Sequence, residues 1–147
     1  VLAYASATAG ALNCLAGEVL GAPGSAALRE AGIGYAVTGL VRAVPFHAGQ
    51  GRSWLPGLPG HAVFEGSQNI AGPVEGLVEA AETSRLAAQA EIGLLPKAAR
   101  PACLPLATCR RDLSCLRRAA FDPFAARYAG PLSRRFRMLS AFWTGRF

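Results

Sequence analysis

Apolar and small residues run almost unbroken from Val1 to Leu20 and stop at Gly21-Ala22-Pro23-Gly24. That pattern predicts a buried helix ended by glycine and proline. Ser25 suits an N-cap, and a second helix is expected from there to Val44, with Pro45 as its terminator. Residues 46–60 hold Gly49, Gly51, Pro56, Gly57, Pro59 and Gly60, which reads as a loop. A short helical piece is expected over 61–66, then a second loop through Gly72. Pro73 favours a first helical turn, and the helix from 74 to about 94 sets Leu77, Ala80, Ala81 and Ser84 on one side, with Glu75, Glu79 and Glu82 mostly on the other. A further helix is predicted over 98–118, with Pro101 and Pro105 in its first turns, and a turn-rich connection over 121–130. No segment alternates with period two, so no strand is expected and the chain reads as all-α.

The last helix opens at Pro131 and has the clearest two-sided pattern. Leu132, Phe136, Leu139, Trp143 and Phe147 recur at steps of three and four. Arg134, Arg135, Arg137 and Arg146 take the rest of the circumference. At a chain terminus such a stripe is expected to cap the domain's own core. A basic helix with an aromatic face also suits a membrane interface or a partner's groove.

Charge sharpens the picture of this last third. Residues 1–95 carry four arginines against seven glutamates. Residues 96–147 carry Lys97 and ten arginines against only Asp112 and Asp122. The C-terminal part is thus built to face something acidic, or presents a solvated basic face. The 147 residues are the length of one ordinary domain, half of them apolar, and no run is long and apolar enough to span a bilayer. The start at Val1 reads as a processed or fragmentary end. Cys103, Cys109 and Cys115 are spaced by six, which on a helix sends them in three directions. Together with Cys14 they read as free thiols in a reducing compartment, with no metal site.

The chemistry-bearing stretch runs from Gly39 to Pro56: Gly39-Leu40-Val41-Arg42-Ala43-Val44-Pro45-Phe46-His47, then Gly49-Gln50-Gly51-Arg52-Ser53-Trp54-Leu55-Pro56. A helix end followed by Gly-Arg-x-aromatic-Leu-Pro resembles the second signature region of the squalene and phytoene synthase family. Tyr4, Ala9-Gly10 and Leu20-Gly21 extend the likeness into the first helix. The resemblance implies an isoprenoid-synthase-type helical bundle, present here as a single partial domain, about the C-terminal half of the family's. The family's enzymes condense two isoprenoid diphosphates through Mg²⁺, held by acids four apart directly after the arginine. Residues so spaced share a helix face, and Mg²⁺ demands their oxygens. By the resemblance those acids fall on Ala43 and His47, and the common asparagine on Gly39. The family's other acidic motif would lie upstream of Val1.

Arg42-Ala43-x-Pro45-Phe46-His47 with Leu55-Pro56, and the ending Phe121-Asp122-Pro123-Phe124 before a basic helix, look most like the family's non-catalytic branch. That branch serves mitochondria in assembly of respiratory complex I. The resemblance implies a pseudoenzyme without cofactor on the matrix side of the inner membrane. Its expected partners are subunits of a large mitochondrial complex, complex I foremost, and a chain completing the helical domain. Peripheral membrane contact fits, and no nucleic acid is expected. Two other classes stay in play: half of a split prenyl-diphosphate condensing enzyme, and a basic accessory protein of a mitochondrial ribonucleoprotein. His47 is expected to be a hydrogen-bonded residue pinning the loop to the helix end, not a base or metal ligand. Arg42 and Arg52 are expected to bond helix C-terminal carbonyls, with phosphate holding as the alternative.

Overall fold

The computed structural model describes residues 1–145; Arg146 and Phe147, which the sequence assigns to the last helix, lie outside the described residues. The order is α1 (Leu2–Ala5), a π-helical turn (Ser6–Gly10), α2 (Ala11–Val19), α3 (Ala26–Arg42), α4 (Val44–Ala48), α5 (Gly60–Phe64), α6 (Ala71–Glu91), α7 (Leu106–Arg118) and α8 (Pro131–Thr144). Short 3₁₀ turns follow α6 at Ile92–Leu94 and precede α7 at Arg100–Cys103. Among the described residues there is no strand, and the fold is all-α, as expected.

Helix α3 is the central post. It packs along α6, against the first helix and against α7. Ser25 caps it as expected, its hydroxyl accepting from the Leu28 N–H at 3.4 Å. Small residues let its neighbours come close. A Cβ on Gly32 would sit 2.4 Å from the Ala9 carbonyl oxygen in the π turn, and one on Gly34 would press on the α6 backbone at Ala81 and Arg85. Two apolar clusters result. One gathers Val37, Val41, Leu55, Val63, Val74 and Leu113; the other gathers Leu28, Ala88, Ile92, Cys103, Leu106 and Cys109.

The structure corrects several expectations. The first helix is not buried: Leu2, Tyr4, Leu12, Leu15 and Val19 are exposed, and only Ala5, Gly10 and Gly17 are buried along it. A helix apolar all round can be covered by α3 on one side only, and the small-residue side allows the closest approach. Pro45 does not end the second helix, which stops at Arg42. It sits instead in the first turn of α4, where its missing N–H costs nothing. Helix 98–118 is broken near Leu104-Pro105, because two prolines four apart withdraw two N–H donors. The inward face of α6 includes Val74, Val78, Ala81, Arg85 and Ala88, with an arginine among the apolar residues.

The last helix is turned opposite to the expected core cap. Leu132, Phe136, Leu139 and Trp143 are 67, 71, 54 and 81 % exposed. Arg134, Met138 and Ala141, at steps of four and three, form the packed side. This side faces inward because Arg134 has a buried acid to meet.

The packing of α3 separates two glycine substitutions. Gly32→Ala, forced against backbone, is expected to lower unfolding free energy by about 1–3 kcal/mol. Gly76→Ala, in the exposed interior of α6 with open space around it, should raise it by about 0.5–1 kcal/mol. Urea denaturation of the two variants checks both signs.

Candidate functional site

The stretch from Arg42 to Pro56 folds as a turn, a short helix and a loop at the lower end of α3. Ala43 lies between α3 and α4, its N–H closing on the carbonyls of Gly39 and Leu40. Gly49 and Gly51 then reverse the chain, Gly51 at φ +71°, a left-handed conformation that glycine takes without strain. The backbone of Gly51-Arg52 rests directly on Gly60, where a Cβ would lie 2.3–2.5 Å from three backbone atoms. Leu55 drives the loop into the core beside Val41, Val44 and Val63, while Arg52 and Pro56 stay exposed. Gly51, Leu55 and Gly60 therefore set the loop's shape.

His47 does pin the loop, but through its carbonyl, which accepts from the N–H groups of Gln50 and Arg52, each at 2.9 Å. The expected side-chain hydrogen bond is not formed: Nδ1 is buried without a partner. The ring sits between aromatics instead. Phe46 meets it edge-on at 5.4 Å and Trp54 at 5.5 Å, and Trp54 stacks on Tyr4 of α1 at 6.0 Å. This row of four rings closes the loop against the first helix and leaves Phe46 and Trp54 partly in solvent.

Arg42 does not bond helix carbonyls. Its guanidinium faces Asp112 of α7 at 3.5 Å, and Arg134 of α8 holds the same carboxylate oxygen closely while donating to Thr108 Oγ1 at 3.1 Å. Asp112 is 2 % exposed. The hub joins three helices, and it turns Arg134 away from the outer face that the sequence assigned to it. Arg135, Phe136, Arg137, Leu139 and Trp143 remain on exposed sides of α8.

Tyr128 packs nearby with its buried hydroxyl unpartnered. Burial, and next the negative charge of Asp112, push its ionisation up. A second buried charge lies on α6, where Arg85 forks onto Glu82 at 2.8 and 2.9 Å and donates to Gln89 at 2.6 Å. The hydrogen bond from Arg85 holds the Glu82 carboxyl below its ordinary range.

Asp112, Tyr128 and Arg85 escaped the reading of the sequence. A signal for two of them was present. Asp112 falls three after Cys109 and four before Leu116, and Arg85 falls within the α6 face; a charge on an apolar face implies a buried partner.

A model of the squalene/phytoene synthase family matches residues 1–139. The chain belongs to the squalene/phytoene synthase family. No curated protein and no solved structure matches it. The family's enzymes use Mg²⁺, and the residues at this helix end do not fit that ion. Ala43 has no ligand atom, and the buried Nδ1 of His47, wedged between rings, is a nitrogen where Mg²⁺ takes oxygen. Among the described residues no three His, Cys, Asp or Glu gather as a metal-holding group. What the site offers is a closed aromatic loop seated on a buried ion-pair hub.

The hub predicts an order of variants. Arg134→Ala, which strips the closer partner from a buried carboxylate, should cost about 3–5 kcal/mol. Arg42→Ala, removing a longer and partly solvated contact, should cost about 1 kcal/mol or less. Thermal or urea melts decide whether that order holds. The cysteines predict a base limit. Burial raises Cys103 and Cys109 from 9.0 to about 11, so the folded chain binds those protons more tightly than the unfolded one. Their contribution to stability is complete below pH 9 and falls between about pH 9 and 11. Melts across that range, compared with a Cys103→Ser/Cys109→Ala variant, should show the extra loss only in the parent.

Proposed function

We propose that this chain is a non-catalytic member of its family that works by binding protein partners, as an assembly factor or attached subunit of respiratory complex I. The observation that carries the reading is the α3–α4 end, where Ala43 and His47 stand at the positions that the family likeness gives to the metal-holding acids. The loop after it supports the same reading: Trp54 stacks on Tyr4 and meets the His47 ring edge-on, so that side chain is held in aromatic packing.

The apolar side of the first helix supplies the binding surface. Leu12, Leu15 and Val19 recur at helical spacing and stand in solvent, with Leu2 and Tyr4 further up. A contiguous apolar stripe of this kind marks a contact with another protein chain. The branch likeness of Arg42–His47, Leu55-Pro56 and the basic ending points to complex I, and with it to the matrix side of the inner mitochondrial membrane. The same stripe also favours a second reading, in which a separate chain completes a condensing enzyme. Ala43 weighs against it, because a companion cannot restore a ligand missing from this helix end.

Affinity purification of the tagged chain from mitochondria tests the partner. The expected outcome is recovery of complex I subunits or assembly intermediates, and its loss on Leu12→Glu/Leu15→Glu with the helical circular dichroism unchanged. Recovery of no complex I component would sink the reading.

A further inference from the structure

The side of the molecule built by α7 and α8 is distinct from the aromatic loop and from the first-helix stripe. On α8, Leu132, Phe136, Leu139 and Trp143 form an exposed apolar ridge, and Phe142 sits edge-on to Trp143. The ridge lies between two basic recesses. In the groove between α7 and α8, Arg110, Arg111, Arg118 and Arg137 line a recess of about 360 Å³ together with Ser114. At the C-terminal end of α8, Lys97 and Arg100 line one of about 350 Å³ beside Phe142 and Trp143. Among the described residues, neither recess is lined by a carboxylate.

The two acids of this third of the chain do not offset that charge, and Glu82 of α6, which lies within electrostatic reach of Arg110 and Arg117, is already forked by Arg85. Asp112 is consumed in the buried hub, and Asp122 lies on another recess, with Phe124 and Ile70. Arg134, turned inward onto Asp112, fastens α8 to α7, so the ridge faces outward with a recess on either flank of α8. Among the described residues no helix is long and apolar enough to cross a membrane.

We propose that this α7–α8 surface docks on an anionic phospholipid membrane, the ridge of α8 entering the headgroup layer and the two recesses taking lipid phosphates. Charge complementarity selects this occupant. Tryptophan, phenylalanine and leucine on the outermost line of a helix, with arginines on its flanks, match the layered polarity of an interface. The four guanidinium groups that converge between α7 and α8, and the Lys97 ammonium at the other recess, match its phosphates. The first-helix stripe, apolar but without such a cationic frame, has no comparable match to lipid. The proposal does not depend on which protein the chain assembles with, since lipid binding is read without that partner.

Flotation of the full chain with vesicles tests it, using phosphatidylcholine alone or mixed equally with phosphatidylglycerol. Binding is expected to the anionic vesicles only, to fall steeply as salt shortens the reach of the charges, and to persist in excess inorganic diphosphate. Phe136→Glu/Trp143→Glu and Arg110→Gln/Arg111→Gln/Arg137→Gln should each weaken it about tenfold or more, with melting unchanged because all these side chains are at the surface. In a Trp54→Phe background, Trp143 fluorescence should shift to the blue on binding. Absence of vesicle binding overturns the proposal, as does equal binding to neutral vesicles or full binding by the ridge variant. Displacement by diphosphate would mark a site for soluble phosphates and would overturn it too.

Discussion

Asp112 is buried on the apolar face of α7, where a carboxylate has to be met by close polar or cationic partners. Arg42 reaches it from the end of α3 and Arg134 from α8, with Thr108 holding the second nitrogen of Arg134. Each contact fixes something larger. The first ties the loop-bearing end of α3 to the helix behind it. The second decides which side of α8 faces the body, and so exposes Phe136, Leu139 and Trp143. Net stability is a weak reason for such a buried arrangement, since an apolar substitute of the same volume often does as well. Its value here is orientation: three helices meet in one register because one carboxylate must be satisfied from two sides.

The other constraint is close backbone approach. Gly32 and Gly34 let α3 lie against the π turn on one side and α6 on the other, and Gly60 lets the 51–52 backbone rest on α5. These contacts seat the 42–56 loop with its aromatic row. Gly51 turns the chain and Leu55 anchors it, which explains their place in the motif without any appeal to catalysis.

Much of this was legible in the sequence, where the signal is local. Ser25 and Pro131 mark helix starts because capping and proline chemistry act within one turn. The motif from Arg42 to Pro56 identifies the family. What was not legible depends on which neighbour a face meets. Periodicity finds the stripe on α8 but cannot say whether it points inward, and Arg134 outbids it by having Asp112 to pair with. The first helix reads as buried because it is apolar throughout, yet one neighbour covers only one side. The partner of Arg42 sits seventy residues away on α7, beyond the reach of any spacing rule.

The proposal at the centre of this account is that the α3–α4 end, with Ala43 and His47, serves as structure and does not handle a Mg²⁺-diphosphate. The most direct measurement is Mg²⁺-dependent product formation from farnesyl or geranylgeranyl diphosphate, by the purified chain alone and with the proteins that co-purify with it. No chelator-sensitive product is expected in either case. Condensation product that forms with Mg²⁺ and disappears with chelator, from the chain alone or from the reconstituted mixture, would contradict the account.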